Sequence, residues 1–130
     1  MRFVVVLAAL VLVAGCGDDD ETEAPAATPA PQMAELTVTV DDGTGKTKTA
    51  DVNCNAPEDS EVCGALADIK PDTFEAVPGN QACTQQYGGP ETATVKGTLN
   101  GDTVDAKFSR VNGCEIARWD AANELLGAAG

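Results

Sequence analysis

Hydrophobic and polar residues alternate most regularly between Glu91 and Ser109. Ala93, Val95, Gly97 and Leu99 fall on one side of an extended chain, and Thr92, Thr94, Lys96 and Thr98 on the other. Asn100 and Gly101 divide the run and suit a two-residue type I′ turn, so the register follows. Leu99 pairs with Asp102, Lys96 with Asp105 and Val95 with Ala106, which puts Val104, Ala106 and Phe108 on the apolar face and Thr103, Asp105, Lys107 and Ser109 on the polar one. The same period runs from Leu36 to Val40, and more weakly from Lys48 to Cys54, where Ala50, Val52 and Cys54 share a face. Asp41, Asp42, Gly43, Thr44 and Gly45 between them are turn chemistry, and the two stretches read as a second hairpin. After Pro57 the period changes. Glu58, Asp59 and Glu61 supply the negative charge that a helix start favours, Val62, Leu66 and Ile69 follow at i, i+4 and i+7, and a helix of about ten residues is expected, stopped by Pro71. From Ile116 to Gly130, Trp119, Leu125 and Leu126 predict one short final element with a frayed end.

The amino terminus is of another kind. Met1 and Arg2 precede eleven apolar residues, Phe3 to Val13, too few to cross a bilayer and suited to a secretory signal. Val13, Ala14, Gly15 and Cys16 resemble the lipobox of bacterial lipoproteins. That resemblance implies a signal peptide over residues 1–15, cleavage before Cys16 and lipidation of its thiol, with two or more acyl chains holding the protein to a membrane. Residues 17–33, GDDDETEAPAATPAPQM, have no apolar periodicity, so 16–33 is expected to be a disordered acidic and Ala-Pro tether. Asp18, Asp19, Asp20 and Glu21 read as a solvated acidic run and not as a calcium site. The expected location is extracellular, lipid-anchored to the bacterial cell membrane.

The 97 residues from Ala34 to Gly130 suffice for one domain. Seven Lys and Arg against sixteen Asp and Glu leave that domain at −9, within a whole-chain net charge of −13, which argues against nucleic acid and anionic lipid as partners. Setting Cys16 aside leaves Cys54, Cys63, Cys83 and Cys114, an even set in an exported chain, hence two disulfides in one of three pairings. Cys54 with Cys63 is preferred because the two are close in sequence, and Cys83 with Cys114 because they bracket the hairpin of Glu91 to Ser109. With no C-x-x-C pair and no histidine, zinc is not expected, and neither is any cofactor. An enzyme is not expected either: no general base or free nucleophile presents itself, and Asp102 and Asp105 are solvent-face charges of the hairpin. With few aromatic residues to build a core, the bridges matter. Chain-entropy estimates give about 2.7 kcal/mol for closing about ten residues and about 3.7 kcal/mol for about thirty.

One exposed polar stretch stands out, Ala82 to Pro90, tied by Cys83 at one end and proline at the other. A polar run so held is either a structural surface turn or a loop built for presentation. The order Leu36-Thr-Val-Thr39, Val52-Asn-Cys54, Val62-Cys63-Gly-Ala-Leu66, Ala82-Cys83-Thr-Gln-Gln-Tyr87 running into Pro90, the hairpin, then Asn112-Gly-Cys114-Glu115 resembles the Streptomyces subtilisin inhibitor family from roughly Leu36 to Trp119. The resemblance implies an α+β fold, an antiparallel sheet of about five strands with two short helices, disulfides in the pairing preferred above, and a habit of dimerising. It also implies inhibition of subtilisin-like serine proteases by a substrate-like loop that is cut slowly and resealed. Carried over, Thr84 precedes the primary specificity residue Gln85, the scissile bond is Gln85 to Gln86, Tyr87 lies on the leaving side, and Cys83 and Cys114 stiffen the loop. Two departures are visible. Gln85 is an amide where the targets prefer a large apolar or a basic side chain, and Gly88 and Gly89 replace an acidic residue and proline, which implies a looser leaving side. The expected function is therefore a membrane-tethered extracellular inhibitor of a secreted serine protease. The alternative is an envelope lipoprotein that keeps the fold as a non-inhibitory binding module.

Overall fold

A computed structural model describes residues 33–55 and 61–130. The signal segment, Cys16, all of the tether before Met33, and Glu58 and Asp59 of the expected helix start lie outside the described residues. The strands are β1 (Ala34–Asp41), β2 (Thr47–Asn53), β3 (Thr92–Leu99) and β4 (Asp102–Phe108), and the helices are α1 (Glu61–Asp68), α2 (Gly113–Ala121) and α3 (Asn123–Gly127), with a 3-10 turn at Pro71–Phe74. All four strands join one antiparallel sheet in the order β2-β1-β3-β4, an α+β arrangement with both expected hairpins present.

The β3–β4 register is the one that Asn100 and Gly101 dictate, with Leu99 opposite Asp102, Lys96 opposite Asp105 and Val95 opposite Ala106. Both turn residues have positive φ, 51° and 89°, as a type I′ turn requires. Local pattern did not foretell the central pairing, in which β1 lies between the hairpins and meets β3 with Val38 opposite Val95. That contact is close. Gly97, opposite Leu36, has φ 143°, and a Cβ built on it would collide with the Glu35 carbonyl oxygen, so no side chain fits there.

Period-two patterning sorts the two faces of the sheet. Leu36, Val38, Val52, Ala93, Val95, Val104, Ala106 and Phe108 are buried, whereas Thr37, Thr49, Lys96, Thr98, Thr103, Asp105 and Lys107 are exposed. The apolar face is covered by Leu66 of α1, by Leu125 and Leu126 of α3, and by Phe74, whose ring meets Phe108 edge-on at 6.5 Å between centroids. Each large aliphatic or aromatic side chain so buried contributes about 1.5–3 kcal/mol. The Cys54–Cys63 bridge staples α1 to the residue after β2. At the same end of the sheet Met33 closes β1 against the turn, its amide donating to Asn100 Oδ1 at 3.0 Å and its carbonyl accepting from the Asn100 amide at 2.6 Å.

Three expectations are corrected. The sheet has four strands among the described residues and not about five, because the long link from Glu75 to Glu91 carries Pro78, Gly79, Gly88, Gly89 and Pro90 and cannot sustain a ladder. Three α-helices are present among the described residues instead of two. The carboxyl terminus is packed and not frayed: Ala122, Leu125, Leu126 and Ala129 recur at i, i+3, i+4 and i+7 and are all buried, a stripe that the short GAAG ending obscured. No helix of the described residues is long and apolar enough to cross a membrane.

Candidate functional site

Asp41 lies opposite both Thr47 and Thr92, and Ala93 opposite Phe108, so one end of the sheet gathers the β1–β2 turn, the lead into β3 and the exit from β4. The polar stretch Cys83 to Pro90 sits there. Its floor is the segment from Arg110 to Cys114, which carries the start of α2. That helix begins where it does because the Asn112 side chain accepts a hydrogen bond from the Glu115 amide at 3.0 Å, capping the first turn. Arg118 then fastens α2 to the body of the domain. Its Nη1 donates to Glu115 Oε2 at 2.7 Å and to the Lys107 carbonyl at 3.1 Å, its Nε donates to the Thr73 carbonyl at 3.2 Å, and its guanidinium lies 4.8 Å from the Phe108 ring centre.

On this floor the loop is held at both ends. Cys83 is bonded to Cys114, with 5.4 Å between their Cα atoms. Next to the bridge, the Gly113 amide donates to the Thr84 carbonyl at 2.9 Å, and four residues further on the Gly88 amide donates to the Arg110 carbonyl at 2.7 Å. Between those anchors Gln85, Gln86 and Tyr87 are exposed, Tyr87 at 64%. An aromatic ring so exposed at the tip of a tethered loop is available to a partner and contributes little to this fold. Shallow grooves of about 710 and 590 Å³ flank the bridge; Gln86 borders the first and Gln85 the second, consistent with the alternation of an extended chain.

Residues 88–90 are closely packed, although two of them are glycine. A Cβ at Gly88 would lie 3.0 Å from the Ile116 side chain and 3.1 Å from Arg110 Cβ, so a larger residue there would have to push both aside by a few tenths of an ångström. Gly89 has φ 143°, and the carboxylate of Glu91 occupies the position its side chain would take. Pro90 lies against Gly43 in the β1–β2 turn, where a Cβ would also collide. That turn is itself braced by Asp42, whose carboxylate accepts from the Thr44 hydroxyl at 2.6 Å, the Thr44 amide at 2.8 Å and the Lys46 amide at 3.3 Å. These bonds, that of the Thr44 hydroxyl foremost, hold the Asp42 carboxyl below its ordinary pKa.

The fold thus brings Cys83, Thr84, Gln85, Gln86, Tyr87 and Cys114 together at one end, places the Cys54–Cys63 bridge at the opposite end, and leaves Cys16 outside the described residues. Arg110, Glu91 and Gly43 also belong to this region and were missed in the sequence, where no shared period links them. Among the described residues no group of three or more His, Cys, Asp or Glu could hold a metal ion. Compared with models of protein families, with curated proteins and with solved structures, the chain matches none of them.

Proposed function

We propose that this chain is a serine protease inhibitor of the substrate-like kind, held outside the cell by lipid on Cys16 and presenting Thr84 to Tyr87 to a secreted subtilisin-like protease. The observation that carries this reading is the clamp. Three exposed residues span the interval between a disulfide and two backbone hydrogen bonds, so the chain around Gln85–Gln86 is ordered before any partner arrives. Docking an unordered loop costs about 0.5–1.5 kcal/mol for each side chain immobilised, besides its backbone. A loop already held avoids most of that cost. The same clamp keeps both new ends in place after a cut, so resealing competes with hydrolysis.

Gln85 sets the preference. In an apolar specificity pocket its amide loses hydrogen bonds to water without regaining them, at about 1–3 kcal/mol, or about tenfold and more in affinity. The favoured target has a polar pocket able to bond an amide. The test is a titration of the mature, disulfide-bonded chain against subtilisin-like and glutamyl-specific proteases, with Gln85→Met alongside. Stoichiometric inhibition, with at least tenfold tighter binding of Gln85→Met to a subtilisin-like enzyme, is expected. Rapid cleavage of Gln85–Gln86 with no inhibition of any of them rejects the reading and leaves a non-inhibitory binding module.

A further inference from the structure

We infer that Arg110 is the positioning residue of the leaving side, fastening Gln86 to Gly89 to α2 so that the amine freed by a cut stays where it can reseal; this rests on the inhibitor reading. The guanidinium of Arg110 lies 5.9 Å from the ring centre of Trp119 on α2, and its Nη1 stands 3.5 Å from Glu91 Oε2, with both side chains about two-thirds covered. Glu91 in turn fills the space beside Gly89, and the Cβ of Arg110 walls off Gly88. Arg110 therefore links the helix that carries Cys114 with the residues that follow the scissile bond, and it does so on the side the disulfide does not reach. Cys83 precedes the bond and holds the acyl side; Arg110 and Glu91 hold the other. One detail marks the arrangement as costly: Nε of Arg110 is buried with no hydrogen-bond partner, so part of this cation is desolvated without compensation.

The chemistry shows what such a tether does. The protease hydroxyl adds to the Gln85 carbonyl carbon, the Gln85–Gln86 C–N bond breaks, and a proton passes to the departing Gln86 nitrogen. Resealing is the reverse: that amine attacks the acyl ester, gives up a proton and expels the protease hydroxyl, which takes the proton back. Its rate depends on how often the amine lies within reach of the ester. In the intact chain the unbroken backbone still confines the leaving segment, so loosening Arg110 only lets the Gly88 amide open more often. In the cut chain the same loosening frees the segment, and the balance moves towards the cut form.

The experiment uses the mature, disulfide-bonded chain and its Arg110→Met and Glu91→Gln variants, each left with a catalytic amount of the inhibited protease until the ratio of cut to intact inhibitor is constant. Arg110→Met keeps the stem against Gly88 and removes the charge and the stacking. The ratio is expected to rise about tenfold for Arg110→Met and about threefold for Glu91→Gln, as loss of a cation–π contact and a partly exposed ion pair predicts. The double variant is expected to exceed Arg110→Met only slightly, because the two residues act as one link. Hydrogen exchange at the Gly88 amide should quicken in parallel, a readout that does not need the protease. If Arg110→Met fails to fold, Glu91→Gln still carries the test. An inhibitory wild type whose variants leave both the ratio and the Gly88 exchange unchanged overturns the role of Arg110 alone, whereas a wild type that is cut without inhibiting overturns the inhibitor reading and this inference together.

Discussion

Replacing Cys83 and Cys114 by serine removes the one covalent constraint on the candidate loop. The bridge closes a sequence separation of 31 residues, for which the chain-entropy relation gives about 12 cal/mol/K, or about 3.7 kcal/mol at 25 °C. Both cysteines are only partly buried, so serine leaves no fully buried hydroxyl and the entropic figure is the main part of the loss. With a urea m-value of about 1.5 kcal/mol/M, the unfolding midpoint should fall by about 2.5 M. The local effect is sharper. Once the bridge is gone, the loop is held chiefly by the Gly113 and Gly88 hydrogen bonds, each contributing about 1 kcal/mol, so it should stand open in about 3% of molecules. Amide exchange at Gly88 and Gly113, followed by NMR, and digestion between Cys83 and Pro90 by a metalloprotease both read that opening directly. If the double variant loses less than about 1 kcal/mol, and those amides and that segment are no more accessible than in the parent, the idea that the bridge stiffens the loop is wrong.

Three further outcomes follow from the packing. Gly97→Ala should cost at least about 3 kcal/mol in urea unfolding, since φ is 143° and the new Cβ would strike the Glu35 carbonyl; a cost under 1 kcal/mol would mean that β1 and β3 do not approach as described. Phe108→Ala, which empties a site shared with Phe74 and Arg118, should cost about 3–5 kcal/mol and lower the thermal midpoint accordingly. Asp42 contributes stability with a definite sign. Its carboxyl titrates below the ordinary 3.8 when folded, so its contribution is complete above that value and is lost as the pH falls through the folded one. Urea midpoints measured from pH 6 down to pH 2 should therefore fall less steeply for Asp42→Asn than for the parent, and identical profiles would show that Asp42 does not brace the turn.

Legibility differed sharply between elements. The β3–β4 hairpin could be written down residue by residue, because a two-residue turn of Asn100 and Gly101 admits a single register and alternation then assigns both faces. The polar stretch Cys83 to Tyr87 stood out for a similar local reason, a run fastened at its ends. The stripe of Ala122, Leu125, Leu126 and Ala129 was equally present in the sequence and went unread, since alanine and glycine at a terminus resemble the composition of a loose end. Arg110 and Glu91 were not legible at all. They lie 19 positions apart, and neither has a local partner that would mark it.

What the chain determined by itself was everything set by neighbours a few positions apart: four strands and their faces, the turns, the first helix, and an even set of cysteines with one tethered polar stretch between them. The place of β1 between the hairpins, the fit of Gly97 into a space without room for a side chain, the close packing around Gly88, and the meeting of Trp119, Arg110 and Glu91 beneath the loop were decided only in three dimensions. The physical reason is the range of the forces. Backbone sterics and period act along the chain, whereas close packing and ion pairing act between surfaces that come together only when the sheet and its helices have closed over a common core.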